Sequence, residues 1–230
     1  MQTTNRAAQR AAGHKMNCLQ AEYEACNESF TYWLDRYGTL YDATARGWTR
    51  FHLWPSQAEV ADSLARERLV IILKARQLGM TWLVVGRALW LMLFRPAATV
   101  LLFSRRDDEA VHLLDFRLRG MYERLPPFMQ AAHLVRSNSH ELRLGNGSVA
   151  LAFPTTGGRS CTASVAIVDE ADRRNEGDDL LNAVKPTVDA GGQLLLLSTA
   201  DKSRPDSAFK RIYWAARRAE NDWTPLFLSW

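Results

Sequence analysis

Apolar and polar positions alternate between strand-type and helix-type patterns along most of this chain. Short, nearly continuous apolar segments are typical of strands that are covered on both faces. They lie at 69–75, 98–104, 164–168 and 193–198. Helical spacing of apolar residues follows two of them, over Met80–Phe94 and Asp107–Arg124. Because parallel strands need crossover connections, this order predicts an α/β fold with a mainly parallel sheet.

Other patterns predict elements around this repeat. Apolar residues recur at steps of three and four from Leu19 to Tyr37, which predicts one amphipathic helix that Gly38 ends. Within 141–153, two stretches in which apolar residues alternate with other residues flank Asn146-Gly147. This dipeptide tolerates the positive φ angles of a tight turn. A β-hairpin insert is therefore expected there. Two further helices are expected, near 178–184 and over 205–220.

This order of elements also predicts how the chain is divided. We expect an N-terminal arm and helix over 1–40, an α/β core over 41–200, and a lid or linker segment over 201–230. At 230 residues the chain is long enough to bury a substantial core.

Composition narrows the class of protein. Hydrophobic residues at 47% and charged residues at 23% match ordinary soluble proteins, and a net charge of +4 permits contact with a polyanion without indicating it. Three cysteines without a C-x-x-C pair and five scattered histidines indicate neither a disulfide framework nor a zinc site, so a reducing cytosolic setting is expected. The longest apolar stretch, Trp82–Phe94, contains Arg87 and is too short to span a bilayer, so no membrane contact is expected.

The segment KARQLGMT, residues 74–81, lies where a predicted strand turns into a helix, the setting that a phosphate-binding loop requires. Against the pattern G-x-x-x-x-G-K-[ST], Gly79 and Thr81 match, Lys74 replaces the first glycine, and Met80 occupies the lysine position. Lys74 or Arg76 could supply the missing cation, and Thr81 the hydroxyl for Mg²⁺. An ordinary β-α turn with solvated basic side chains is the alternative.

A second chemical signal is VAIVDEAD, residues 165–172, an apolar strand that ends in two consecutive carboxylates. Acids at the end of a buried strand are unfavourable unless they meet a cation. Asp169 would then hold Mg²⁺ and Glu170 would polarise an attacking water. The alternative is a strand that runs out into a solvated loop.

Four segments in this order resemble the motifs of viral and prophage large terminase subunits: FHLWPSQ at 51–57, KARQLGMT, VAIVDEAD, and LLSTA at 196–200. The first is similar to an adenine-recognition segment and the last to a coupling motif that senses the γ-phosphate. Arg159 is similar in position to an arginine that reaches the ATP of a neighbouring subunit. The resemblance places these residues at the nucleotide: Gln57, Gln77, Leu78, Gly79, Met80, Thr81, Ser198 and Thr199.

The resemblance implies a three-layer P-loop NTPase fold of the RecA-like type, with a β-hairpin insert, a small C-terminal lid and a helical N-terminal appendage. It implies an ATP hydrolase that uses Mg²⁺, held by Thr81 and Asp169, with Glu170, Lys74, Arg76 and Arg159 acting in catalysis. The implied partners are double-stranded DNA, a portal protein, a small terminase subunit and further copies of this chain in a ring, in the cytoplasm of an infected host cell. The family's nuclease domain would begin where this chain stops, so no nuclease activity is expected.

Two other functions remain open on sequence grounds. A helicase-like or RecA-like ATPase acting on single-stranded nucleic acid would share the upstream glutamine, the phosphate loop and the Asp-Glu pair. A nucleotide-binding module without turnover is suggested by Met80 at the lysine position. Stimulation by single strands would favour the first, and tight binding of ATP without phosphate release would favour the second.

Overall fold

A computed structural model describes residues 16–130, 133–153, 161–173 and 184–229 of the chain. It confirms the predicted α/β fold, with one eight-stranded sheet and a separate two-stranded hairpin. The strands are β1 Thr39–Asp42, β2 Gly47–Arg50, β3 Leu69–Lys74, β4 Thr99–Phe103, β5 Leu134–Ser137, β6 Glu141–Leu144, β7 Val149–Phe153, β8 Val165–Asp169, β9 Gln193–Ser198 and β10 Thr224–Leu228.

The helices lie between these strands. They are α1 16–28, α2 Phe30–Tyr37, α3 Pro55–Arg66, α4 Met80–Phe94, α5 Asp107–His112, α6 Gly120–Glu123, α7 184–188 and α8 Ala208–Arg217. A π-helical segment, Leu113–Arg119, joins α5 to α6, and a short 3₁₀ helix, Ala171–Arg173, follows β8. None of the helices in the described ranges has the length and apolar content that crossing a membrane requires.

The large sheet has the strand order β10-β3-β9-β8-β4-β7-β6-β5. Its strands pair in parallel from β10 to β7, and β6 and β5 pair antiparallel. Strand β9 therefore separates β3 from β8, the two strands that the candidate motifs follow. Because parallel neighbours end at the same edge of a sheet, both motifs lie at one edge, where ligands bind in open α/β folds.

Alternate residues of the central strands enter two different cores. In β3, Val70 and Ile72 belong to the larger cluster, whereas Leu69 and Ile71 belong to the smaller one on the other face. Helices α2, α3 and α4 contribute to the larger cluster, and α8 contributes to the smaller one. Both faces of the sheet are covered, which explains the continuous apolar runs in the sequence.

Two predicted helices differ from expectation. The single helix over Leu19–Tyr37 is interrupted at Ser29, whose extended backbone and side-chain hydroxyl, which accepts from the Tyr32 amide, begin α2 as a new helix. The helix over Asp107–Arg124 widens into the π-helical segment at its centre. The helix near 178–184 falls outside the described residues except for position 184.

Several elements were missed or placed differently by the sequence. The predictions did not include β1, β2, α3, β5 or β10. The hairpin of β6 and β7 turns at Asn146-Gly147 as expected, but β7 also pairs in parallel with β4 and so belongs to the main sheet. Within 201–230, β10 pairs with β3 as an edge strand of that sheet, so this segment is partly built into the core layer. The boundaries of a lid remain a prediction.

Candidate functional site

A cleft of about 1190 Å³ opens at the edge of the sheet where β3 and β8 end. Its walls are formed by the loop between β3 and α4, the end of β8, the β1–β2 hairpin, and the face of α5 and the π-helical segment. All of the predicted nucleotide-contacting residues except Ser198 line it. The structure thus brings together residues that lie up to 142 positions apart in the sequence, from Gln57 to Thr199.

The loop of residues 75–79 has the backbone of a tight phosphate-type turn. Gln77 and Gly79 both have positive φ angles, 62° and 71°, and Gly79 is the N-cap of α4. A Cβ atom at Gly79 would lie 2.9 Å from Nε2 of Gln57 and would displace that side chain, and the positive φ angle favours glycine at this position. The first amide groups of an α-helix have no carbonyl partner within the helix, so those of α4 are available to an anion held by the loop.

Gln57 connects the loop to α3. Its Oε1 accepts a hydrogen bond from the Trp54 amide at 2.9 Å, and its Nε2 donates to the Leu78 carbonyl at 3.0 Å. The side chain is buried, and each end of the amide keeps one further hydrogen-bonding site. Gln57 is therefore a brace for the loop, and its contact with adenine remains a prediction.

Thr81 and Asp169 meet across the cleft. The Thr81 hydroxyl donates to Oδ2 of Asp169 at 3.2 Å, which joins the first turn of α4 to the end of β8. The amide of Glu170 donates to the other carboxylate oxygen, Oδ1, at 3.1 Å. Both side chains offer oxygen atoms, the ligands that Mg²⁺ prefers.

Glu170 is surrounded by groups that restrain its carboxylate. Its Oε1 lies 3.5 Å from Nζ of Lys74, and its Oε2 lies 3.4 Å from Nε of Arg173 and accepts from the Thr199 hydroxyl at 3.4 Å. The backbone of Glu170 has a φ angle of 52°, a left-handed conformation that is uncommon for a residue with a side chain. Such strain is concentrated at functional sites.

The electrostatics of the site are dominated by burial. Desolvation raises the pKa of Asp169 above the usual aspartate value, the nearby charges of Lys74 and Arg117 act in the opposite direction, and Glu170 adds to the increase. The Lys74 side chain is only 8% exposed and lies beside both acids. A magnesium ion bound close to Asp169 would favour its ionised form.

The predicted loop residues play different structural roles. Met80 is 1% exposed and belongs to the larger core cluster, so its side chain is part of the core. Arg76 and Gln77 are exposed and line the cleft. Of Lys74 and Arg76, it is Lys74 that contacts an acid of the pair. Arg159 lies outside the described residues.

Ser198 and Thr199 face different partners. Thr199 lines the cleft and contacts Glu170, whereas Ser198 is fully buried and accepts a hydrogen bond from the amide of Asp172 at 3.0 Å. The expected contact of Ser198 with phosphate is therefore not supported by its position. Its hydroxyl instead connects β9 to the turn that follows Glu170.

Asp172 is a buried centre of polar contacts behind the cleft. Its Oδ2 accepts from the Asp201 amide at 2.6 Å and lies 3.0 Å from Nζ of Lys210 on α8, while its Oδ1 accepts from the hydroxyl of Ser207, the N-cap of α8. The acid pair is thereby linked to the start of α8. The sequence contains Asp172 within VAIVDEAD but gives no sign of its partners.

Trp54, His112, Arg117 and Arg173 also line the cleft and were not among the predicted site residues. Trp54 is exposed at the start of α3, within the segment FHLWPSQ that resembles an adenine-recognition motif, and offers an aromatic surface for a base. Arg173 directly follows the acidic motif. Arg117 lies on the π-helical segment, where the periodicity of an α-helix places residues on the wrong face, so no sequence pattern indicated it.

The oxygen ligands of Thr81 and Asp169 are compatible with a magnesium ion that is bound together with a nucleotide. Over the described part of the chain, no cluster of three or more His, Cys, Asp or Glu side chains could hold a metal by itself. Mg²⁺ typically uses one or two carboxylates and completes its shell with substrate phosphates and water. The donor set of this site fits that pattern.

Comparison with solved structures shows which fold this is. No protein-family model and no curated protein matches the chain. The large terminase of bacteriophage HK97 is similar in structure, with a TM-score of 0.70 and 18% identity over 87% of this chain, which spans 43% of that terminase. The ATPase domain of the Thermus phage P74-26 large terminase gives a TM-score of 0.65 at 15% identity, covering 78% of this chain and 82% of that domain.

A third neighbour was solved with a nucleotide analogue. It is the large terminase of a thermophilic bacteriophage in complex with ATP-gamma-S, with a TM-score of 0.57 and 11% identity over 75% of this chain and 44% of that one. The fold of the present chain is therefore the P-loop fold of large terminase ATPase domains.

Proposed function

We propose that this chain is the ATPase motor domain of a viral large terminase, which hydrolyses ATP to move double-stranded DNA into a procapsid. The observation that carries the proposal is the meeting of the loop after β3 with the acid pair after β8, through Thr81–Asp169 and Lys74–Glu170, in one cleft. The fold of terminase ATPase domains supports it. So do the bound ATP-gamma-S and ADP of two structural neighbours.

In the proposed reaction the triphosphate lies against the loop. The amide groups at the start of α4 bind phosphate oxygens, and Gly79 leaves the space that this approach needs. Thr81 and Asp169 would hold Mg²⁺, which neutralises charge on the β- and γ-phosphates. Phosphoryl transfer requires little covalent chemistry from the protein, so these groups would act mainly by positioning ATP.

Glu170 would orient the attacking water and accept its proton. In the structure its carboxylate contacts Lys74, Arg173 and Thr199, so a triphosphate would compete with Glu170 for the ammonium group of Lys74. Transfer of Lys74 to phosphate would free Oε1 of Glu170 for the water while Thr199 still holds Oε2. Lys74 thereby replaces the loop lysine, since Met80 is buried in the core.

Further aspects of the proposal follow from the resemblance in the sequence. The motor would work as a ring of copies on a portal protein, with DNA delivered by a small terminase subunit, in the cytoplasm of the infected host cell. Arg159 would reach the ATP of the adjacent copy. A ring places each active site next to a neighbouring subunit, so turnover would depend on assembly.

Phosphate release tests the proposal and separates it from a helicase. We expect Mg²⁺-dependent hydrolysis that is stimulated by blunt double-stranded DNA at least as strongly as by single strands, with no unwinding of a forked duplex. The Glu170→Gln variant is the matched control: it should bind ATP normally and lose turnover by about 100-fold or more, as expected for a general base. A strict requirement for single strands would contradict the motor, and retained turnover in Glu170→Gln would remove Glu170 from its role.

A further inference from the structure

Arg117 is a cation of the cleft that does not belong to the loop after β3. It lies on the π-helical segment that follows α5, lines the cleft, and places its guanidinium carbon 5.2 Å from the ring centre of Trp82 on α4. Its Nε is buried and has no hydrogen-bond partner in the described part of the chain. A buried guanidinium N–H without an acceptor is unfavourable unless an anion completes it.

The π-helical segment explains how Arg117 reaches the cleft. In an α-helix, residues five apart point to different faces, whereas the hydrogen bond of a π-turn joins residues five apart and brings them to one face. His112 and Arg117 are such a pair, and both line the cleft. Single π-turns inside α-helices occur frequently at functional sites.

An aromatic cluster fixes the position of the Arg117 side chain. The ring of Trp82 packs edge-on against Trp48 at 5.5 Å and lies 6.1 Å from Phe116. This packing holds the guanidinium in a restricted orientation, as cation–π contacts do. Because its rotamer is already restricted, little further side-chain entropy would be lost when it binds an anion.

The charges that influence the pKa of Arg117 are those of Asp169 and Glu170. Burial lowers the pKa of Arg117, while Asp169 and Glu170 act to raise it, and Arg117 in turn lowers the pKa of Asp169. Arg117 is therefore coupled to the end of the cleft where magnesium and the terminal phosphate are expected. Lys74 approaches this region from the end of β3, whereas Arg117 approaches from the helical segment after β4.

We propose that Arg117 binds the γ-phosphate of ATP and supplies part of the positive charge that a lysine at position 80 would provide. The inference rests on the proposed function and deepens it, because it names a second cation of the same site. A group at the γ-phosphate distinguishes ATP from ADP, whereas a residue that only supports the aromatic cluster or the acid pair affects both nucleotides alike.

The test compares the affinities of Arg117→Met for the analogue AMP-PNP and for ADP, each with Mg²⁺. We expect AMP-PNP binding to weaken about tenfold or more and ADP binding by less than about threefold, since a charge-assisted hydrogen bond is lost only with AMP-PNP. Arg124→Met is the matched control. Arg124 lies on the same helical stretch, stacks on Trp48 at 3.8 Å, and does not line the cleft.

If Arg117→Met lowers the affinity for AMP-PNP and for ADP equally, or leaves the affinity for AMP-PNP unchanged, Arg117 does not bind the γ-phosphate. Failure of the wild-type protein to bind either nucleotide would instead contradict the proposed function, so the two failures are distinguishable. If Arg117→Met does not fold, modification of the wild-type arginine by phenylglyoxal decides the question. We expect AMP-PNP to protect Arg117 from the reagent and ADP to leave it reactive; equal reactivity with both nucleotides would contradict the proposal.

Discussion

The hydroxyl of Thr81 lies 3.2 Å from Oδ2 of Asp169, although 88 positions separate the two residues in the sequence. This contact connects the start of α4 to the end of β8. It places a hydroxyl and a carboxylate side by side, as a site for Mg²⁺ bound with a nucleotide requires. Lys74 and Glu170 form the neighbouring contact at 3.5 Å, so the two motifs meet through two pairs of side chains.

Lys74 and Arg76 differ in their expected importance for ATP binding. Lys74→Met should weaken ATP binding about tenfold or more, because its ammonium group is almost buried beside the acids, where a charge-assisted contact with phosphate is strong. Arg76→Met should have a smaller effect, since Arg76 is exposed at the mouth of the loop. Titration calorimetry with AMP-PNP and Mg²⁺ measures both. A larger loss in Arg76→Met would make Arg76 the cation of the loop.

Asp169→Asn should separate stability from function. Burial raises the pKa of Asp169, so the folded protein binds the proton more tightly than the unfolded chain does. The stability that Asp169 contributes is then fully present below the usual aspartate pKa and is lost as the pH rises through the raised value. The asparagine can accept from the Glu170 amide with its Oδ1 and donate from its Nδ2 to the Thr81 hydroxyl, so it keeps both contacts and avoids this loss.

We therefore expect Asp169→Asn to melt at a higher temperature than the wild-type protein at pH 8, by about 2–4 °C for each kcal/mol gained, and to lose Mg²⁺-dependent turnover. At pH 4 the difference in melting temperature should shrink. Differential scanning calorimetry at both pH values checks this. A variant that is less stable at pH 8 would show that the attraction of Lys74 and Arg117 outweighs burial.

Asp172→Ala should destabilise the protein strongly. Removal of the carboxylate leaves Lys210, the Asp201 amide and the Ser207 hydroxyl without their buried acceptor. Loss of one partner of a buried ion pair costs about 3–5 kcal/mol in free energy of unfolding. Urea denaturation measures the change, and Asp206→Ala is the control, since the Asp206 side chain is 84% exposed. A loss below about 1 kcal/mol would contradict the role of Asp172 as the link to α8.

The sequence predicted the layers of the fold because buried parallel strands leave a local pattern. Strands β3, β4, β8 and β9 and helix α4 follow from apolar runs and helical spacing alone. Strand β10 was missed because it is short and contains Pro225, a residue that sheets tolerate mainly in edge strands, and β10 lies at the edge of the sheet. The break at Ser29 was missed because apolar periodicity continues across it.

The sequence predicts the site residues that directly follow a buried strand. It does not predict those whose position depends on tertiary packing. Gly79, Thr81 and Asp169 are marked by their positions after β3 and β8. Arg117 enters the cleft through a π-turn, which depends on tertiary packing and has no short sequence signal. Ser198 shows the effect of packing on a hydroxyl named from the sequence: it is buried and supports the turn at Asp172, and its contact with phosphate stays a prediction.

The most direct measurement is a crystal structure of the protein with AMP-PNP and Mg²⁺. We expect triphosphate oxygens against the amides that follow Gly79, Mg²⁺ bound by Thr81 and Asp169, and the ammonium group of Lys74 at the phosphates instead of at Glu170. A cleft that remains without nucleotide at saturating AMP-PNP, or a magnesium ion remote from Thr81 and Asp169, would contradict it.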